Sequence, residues 1–252
     1  MRCFRGFFWA CLVVLISGCA SKPQQPISLA NDFIGGKTGR IGVATNKIPQ
    51  ASTSFPGAAC LLCYAAASLA HTSLTSHTEA LPTDQIVLLK KELVDTLKGK
   101  NIDAVEIATP VNVADLPDSG KSGPDVARKD FSGLRAKLGI DKLLIIDVVM
   151  HGFVRNYSSY VPAGDPRAVF FGSGYIVNLS NNTYEWYEPI EISKGAPGNW
   201  DEPPKFPGLT NAYFQSVETA KDRLLKPFGN DTPPQSQQTQ SLTQNQPAAG
   251  GR

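Results

Sequence analysis

One apolar run in the middle of the chain constrains the fold more than any other feature. The run extends from Leu143 to Met150 and contains a single charged residue, Asp147, among leucine, isoleucine, valine and methionine. A short run that is almost wholly apolar and rich in β-branched residues is typical of a central strand covered on both faces. We therefore expect packed layers on both sides of this strand.

Shorter patterns before and after this run complete the order of elements. The clearest helix pattern places apolar residues on one face from Ile86 to Leu97, with Thr83 or Asp84 able to cap its start. Asn181-Asn182 separates two alternating strands and suits a tight hairpin, because asparagine tolerates a positive φ. Strands are expected at 40–44, 102–108, 143–150, 167–179 and 183–192, and helices at 81–98, near 131–138 and near 213–224.

This order, βαβαβββα, predicts an α/β (α+β) fold with one mixed β-sheet and helices packed on it. Within the hairpin, Gly172 and Gly174 flank Ser173. They indicate a bulge or bend, and a nucleophile elbow is disfavoured because that motif needs a strand-to-helix turn. Asp147 and His151 fall on the same side of a regular strand, so a general-base pair is one hypothesis. A strand-end acid bonded to the backbone or to a neighbouring base is the alternative.

The start of the chain has the layout of a secretory signal. Arg2 and Arg5 precede an apolar run, Phe7 to Ile16, which is shorter than the ~20 residues of a spanning helix. Small residues then stand directly before Cys19. The alternatives are an uncleaved anchor or a plain signal peptide with an incidental cysteine.

The sequence Leu15-Ile16-Ser17-Gly18-Cys19-Ala20 resembles the lipobox of bacterial lipoproteins. The resemblance implies cleavage before Cys19 and acylation of that cysteine with diacylglycerol and palmitate. Ala20, rather than aspartate, follows the cysteine, which by the sorting rule of these lipoproteins implies a lipid-anchored, periplasm-facing position on the outer membrane.

Four segments follow from this interpretation. Residues 1–18 are the signal peptide, 19–39 hold the lipidated cysteine and a tether, 40–228 form a single α/β domain and 229–252 form a disordered tail rich in glutamine and proline. Loss of the signal removes two of the 24 basic residues and leaves 22 basic against 22 acidic side chains. No basic stripe exists, so nucleic-acid binding is disfavoured, and no cofactor is predicted.

The middle of the chain also resembles a known envelope family. A helix ending in Leu134-Arg135-Ala136-Lys137-Leu138-Gly139-Ile140-Asp141 runs into the apolar strand, and a hairpin then carries Tyr184-Glu185-Trp186. This pattern, over Lys129 to Ile192, is similar to bacterial envelope lipoproteins with a domain like the amino-terminal domain of TolB, a group that includes the curli-secretion lipoprotein. The resemblance implies a module without an active site that works through binding or assembly. Residues 49–80 have no obvious place in the common core.

Cys60 and Cys63 are the two cysteines that follow Cys19 in the chain. In an oxidising compartment they favour a local disulfide. The alternatives are a thioredoxin-type redox pair, a metal site completed by His71 and His77, and buried free cysteines. A periplasmic thiol or metal-binding protein is therefore the alternative function.

Two further segments are candidates for contact with partners. Residues 57–70 are almost wholly small or apolar, and we expect them to mediate homotypic or partner contact, because such patches are rarely left exposed on a monomer. Trp200 and Phe206 flank a proline-rich loop, which suits either a preorganised partner site or a rigid connector that covers the core. The overall expectation is a non-enzymatic lipoprotein that assembles with envelope proteins or with itself.

Overall fold

The structure, a computed structural model, describes residues 23–36 and 38–229. The predicted signal peptide and Cys19 lie outside the described residues. So does the predicted tail, apart from Gly229.

The described chain forms eight strands and five helices, together with short 3₁₀ turns at Val113–Asp115 and Lys226–Phe228. The strands are β1 (Ile41–Thr45), β2 (Ser52–Ser54), β3 (Ala104–Glu106), β4 (Lys142–Val154), β5 (Tyr157–Ser158), β6 (Val161–Pro162), β7 (Arg167–Asn178) and β8 (Thr183–Gly195). The helices are α1 (Leu61–Ala70), α2 (Thr72–Glu79), α3 (Asp84–Gly99), α4 (Gly133–Leu138) and α5 (Pro207–Leu225).

The main sheet is mixed and has β4 at its centre. Its strands lie in the order β3-β1-β4-β7-β8, with β1 parallel to the first part of β4 and β7 and β8 antiparallel. β2 pairs in parallel with the last residues of β4, beside Gly152 to Val154. The predicted fold class, a mixed sheet with helices packed on it, is confirmed.

Both faces of β4 are covered, as its apolar run predicts. Leu144 and Ile146 face the main cluster, where α3 and α5 pack on the sheet. Leu143 and Ile145 face a second cluster that includes Phe131 and lies under α4. The strand can be apolar along most of its length because neither of its faces is exposed to water.

Two segments differ from the arrangement expected from the sequence. The stretch 49–80 supplies β2 to the main sheet, and α1 and α2 follow it. Part of the stretch 19–39 packs on the domain, since Ile27 pairs with Tyr187 on the outer edge of β8 and Phe33 is buried in the main cluster. None of the helices formed by the described residues is long and apolar enough to cross a bilayer.

Candidate functional site: the exposed surface of helix α1

Helix α1 exposes most of its apolar side chains to solvent. Its sequence, LLCYAAASLA, contains no charged residue, yet only Cys63 and Ala67 are buried. Leu61, Leu62 and Leu69 are 85, 70 and 78% exposed. Helices that are apolar all round are normally enclosed by protein or lipid. The described chain provides α1 with only one covered face.

A small cluster, separate from the main core, holds α1 in place. Cys63 and Ala67 pack from the helix onto Phe55, Ala58 and Tyr157. The ring of Phe55 meets the ring of Tyr157 edge-on, with centroids 5.9 Å apart. The helix is therefore a firmly seated element, and its outward face has a defined orientation.

The β5–β6 hairpin extends this outward face. Tyr160 and Val161, at its tip, are 56 and 65% exposed. The hairpin is joined to the loop before α1 by backbone hydrogen bonds, in which the Ser159 N–H donates to the Gly57 carbonyl at 3.1 Å and the Tyr157 N–H donates to the Pro56 carbonyl at 2.7 Å. We call the combined set the α1 surface; it consists of Leu61, Leu62, Tyr64, Leu69, Tyr160 and Val161.

Helix α1, which carries four of the six residues of the α1 surface, lies in a stretch without fixed charge. From Ile48 to Thr78 the sequence contains no aspartate, glutamate, lysine or arginine. An exposed apolar surface of this kind lacks the charged side chains that keep monomer surfaces soluble. It has the chemistry of a contact surface.

Cys60 and Cys63 fix the first turn of α1. Their sulfur atoms are joined in the structure, with an S–S distance of 2.17 Å. Cys60 occupies the N-cap, where its Sγ accepts from the Cys63 N–H at 2.9 Å, and the Tyr160 hydroxyl lies 3.5 Å from the same sulfur. Cys60 thus contacts both the first turn of the helix and the tip of the β5–β6 hairpin.

The two histidines proposed with these cysteines as metal ligands point elsewhere. His71 Nε2 faces the Arg155 guanidinium at 2.6 Å, while Nδ1 lies 2.9 Å from the Ala67 carbonyl. Because arginine only donates, Nε2 is the acceptor and Nδ1–H donates to the carbonyl. His77 Nε2 instead bonds the Thr210 hydroxyl at 2.8 Å. Among the residues described, no group of three or more histidine, cysteine, aspartate or glutamate side chains is placed to hold a metal ion.

Trp200 and Phe206 pack against the two histidines, Trp200 on His71 and Phe206 on His77. Their rings stack at 6.2 Å, and both pack, partly buried, against the main cluster. Trp200 also stacks on His71 at 6.0 Å, and the Arg155 guanidinium lies 4.8 Å from its ring centroid. This packing agrees with the connector alternative for the proline-rich loop. The loop contacts α2 through His77, and the α1 surface remains exposed to solvent.

The hypothesis that Asp147 and His151 form a general-base pair is wrong, because they lie on opposite faces of the sheet. A bulge between Val148 and Met150 inserts an extra residue into β4, opposite Gly172 and Phe171 of β7. The side chains after the bulge therefore switch faces. Asp147 accepts from Asn46 Nδ2 at 2.8 Å. It lies on the side of the second cluster, where burial and, to a smaller extent, the Asp147 carboxylate raise the pKa of Tyr175.

His151 is buried on the other face, in the main core. Its Nε2 lies 2.8 Å from the Pro49 carbonyl and its Nδ1 lies 3.1 Å from the hydroxyl of Tyr213. Burial lowers the pKa of His151, and the bond to the Pro49 carbonyl opposes this shift. Burial also raises the pKa of Tyr213 to about 12. Both groups therefore stay neutral near pH 7, and their hydrogen bonds connect β4 to α5 and to the loop before β2.

Comparison with known proteins finds similar folds only among solved structures. No family model matches the chain, and no curated protein sequence matches it. PelC of Paraburkholderia phytofirmans, crystallised as a dodecamer, is 12% identical with a TM-score of 0.32, over 75% of this chain and 86% of PelC. A DUF330 protein of Xanthomonas campestris is 13% identical with a TM-score of 0.37, over 74% of this chain and 81% of that protein.

A third similar structure is lipoprotein GNA1162 of Neisseria meningitidis. It is 13% identical with a TM-score of 0.26, over 72% of this chain and 96% of that lipoprotein. All three TM-scores lie below 0.5, so none of these similarities indicates a function for this chain.

Proposed function

We propose that this chain is a lipid-anchored, non-enzymatic assembly module of the bacterial envelope, and that the α1 surface is its contact surface. The observation that carries the proposal is an uncharged helix of ten residues with only Cys63 and Ala67 buried. Removing a leucine side chain from water contributes about 1.5–3 kcal/mol. Covering Leu61, Leu62 and Leu69 would therefore provide a substantial driving force for association.

The rigidity of the site supports a contact role. The outward leucines are carried by a helix that is capped by Cys60 and seated on Phe55 and Tyr157. A surface that is already ordered loses little conformational entropy when a partner covers it. The α1 surface is thus preorganised for binding.

The arrangement of polar groups supports a role without catalysis. Asp147 and His151, which the sequence pairs, lie on opposite faces of the sheet. His71 and His77 are engaged by Arg155 and Thr210 respectively, so they do not join the two cysteines. Each of these groups has a structural partner that accounts for its position.

The lipid anchor at Cys19 is tested by membrane fractionation of the full chain in its host. Cys19→Ala should leave export intact and release the protein into the soluble periplasmic fraction, because the acyl chains would supply most of the affinity for the membrane. Cys11→Ala, which removes a cysteine within the apolar run, is the matched control and should remain membrane-bound. Equal membrane attachment of the Cys19→Ala and wild-type chains would contradict the anchor.

A further inference from the structure

We infer that the α1 surface is covered by the α1 surface of a second copy of this chain, across a two-fold axis near the middle of the helix. This inference rests on the proposed function, since it requires both the anchor at Cys19 and a contact role for α1. It adds the identity of the partner, which is inferred from the position of the anchor, the charge distribution and the relief of the helix.

The position of the first described residues, from Pro23 onward, argues against the anchoring membrane as the layer that covers the α1 surface. Gln24 Nε2 donates to the Pro124 carbonyl, and Val126 pairs with Thr183 at the first residue of β8. Across the sheet, Thr183 is in register with Lys142, the first residue of β4. The first described residues therefore lie near the end of the sheet at which β4 begins. The lipidated cysteine precedes Pro23 by four residues, which span at most about 14 Å.

Helix α1 lies at the other end of β4. The β2 strand that precedes it pairs Ser54 with Val154, the last residue of β4, and Phe55 packs on Tyr157 just beyond. The 13 residues of β4 extend over about 40 Å. Helix α1 therefore lies near the end of β4 opposite to the end that the anchor holds at the membrane, and a protein is the favoured occupant of the α1 surface.

The charge distribution favours a second copy over a charged partner. Because residues 48–78 contain no fixed charge, and Tyr160 and Val161 are also uncharged, the side chains of two α1 surfaces meet without repulsion between like charges. The side chains of the α1 surface would offer a strongly acidic or basic partner no complementary charge to compensate the desolvation of its own groups.

The relief of the helix also suits contact with itself. Leu61 and Leu62 stand at the start of α1 and Leu69 near its end, while the small exposed residues Ala65 and Ala66 lie between them and follow Tyr64, which is 52% exposed. A two-fold axis at the alanines lets the two helices approach closely. It also sets the leucines at the start of one helix against the end of the other, the self-complementarity that an isologous contact requires.

The test places charges next to the proposed axis in the full, mature chain in detergent. Ala66 is exposed, so Ala66→Glu and Ala66→Lys add a charge without removing a packed group. Each variant alone should be monomeric by sedimentation, because two like charges would meet at the axis. An equimolar mixture of the two should recover the mass of a dimer. Val87→Glu, on the exposed side of α3, is the matched control and should associate as the wild type does.

Each outcome bears on the inference separately from the proposed function. A monomeric wild type, dimers formed by either single-charge variant alone, or a mixture that stays monomeric would each overturn the two-fold contact. If the wild type is monomeric but Ala66→Glu abolishes its crosslinks to a different envelope protein, assembly through α1 stands and only the homotypic inference fails. If neither association nor crosslinks change, the contact role of α1 fails as well.

Discussion

Replacing Leu61 and Leu62 together by serine should abolish association of the full chain while changing its free energy of unfolding little. The two side chains are 85 and 70% exposed, so the folded monomer gains little from them. Exposed substitutions usually change stability by no more than about 0.5 kcal/mol, whereas truncating a buried leucine costs about 2–5 kcal/mol. The expected result is therefore a monomer in sedimentation with a nearly unchanged denaturation midpoint.

A matched pair on another helix serves as the control. Val87 and Leu88 on α3 are 52 and 49% exposed, so serine at both positions removes similar apolar groups far from α1. This variant should associate as the wild type does. If the Leu61 and Leu62 substitutions instead destabilise the domain by several kcal/mol, or leave its mass unchanged, α1 is ordinary core or its surface makes no contact.

Gly57→Ala should destabilise the domain strongly and weaken association. Gly57 has φ +86°, and a Cβ atom there would lie 1.9 Å from the Tyr157 carbonyl oxygen and 2.9 Å from its carbonyl carbon. The backbone conformation alone costs an L residue about 1–2 kcal/mol, and the overlap adds about 1–3 kcal/mol. Because both colliding atoms are backbone, the β5–β6 hairpin has to move away from the start of α1. That movement would displace Tyr160 and Val161 from the α1 surface.

Gly120→Ala separates these two effects. Gly120 also has a positive φ, +63°, but no atom lies within 4 Å of the Cβ that alanine would add. Chemical denaturation of the control should therefore report the conformational cost alone, and sedimentation should show normal association. Equal destabilisation by the two substitutions would contradict the close approach of the hairpin to Gly57.

The sequence predicts the fold well where the burial of apolar side chains or the backbone preference of a residue determines the structure. Both faces of the apolar run of β4 are covered, as its composition requires: Leu144 is buried in the main cluster and Leu143 in the second cluster. Asn182 adopts φ +63° in the β7–β8 hairpin, and its side chain accepts from the Phe131 N–H. These features depend on residues close in sequence or on the avoidance of water, so pattern and composition are sufficient to predict them.

The remaining features depend on tertiary contacts that leave weak local signals. β2 is a polar triplet, Ser52 to Ser54, which becomes a strand because the end of β4 offers it a partner. The bulge near Val149 reverses the face of His151, and the sequence signal for it lies across the sheet at Gly172, where a Cβ would be 2.4 Å from the Asp147 carbonyl oxygen. Sequence reasoning could flag that glycine but could not choose the strand that carries the extra residue.

The candidate site was predictable in composition but not in exposure. The apolar character of residues 57–70 is equally consistent with burial in the domain core and with contact to another molecule. The sequence pattern does not show which parts of the chain pack on a helix. Only the structure shows that Phe55, Ala58 and Tyr157 cover one narrow face of α1 and leave the leucines outside. The contribution of the β5–β6 hairpin carries no sequence signal, since Tyr160 and Val161 are about 90 residues further along the chain.

The most direct test of the central claim, that protein covers the α1 surface in the envelope, is photocrosslinking in intact cells. A benzophenone amino acid placed at Ala66 of the anchored chain lies in the middle of the exposed face of α1. The account predicts an efficient protein–protein adduct from position 66, of twice the mass of the chain if the partner is a second copy. The same group at Leu88 on α3 should give no such adduct. Adducts with lipid alone, or no adduct from either position, would contradict the account.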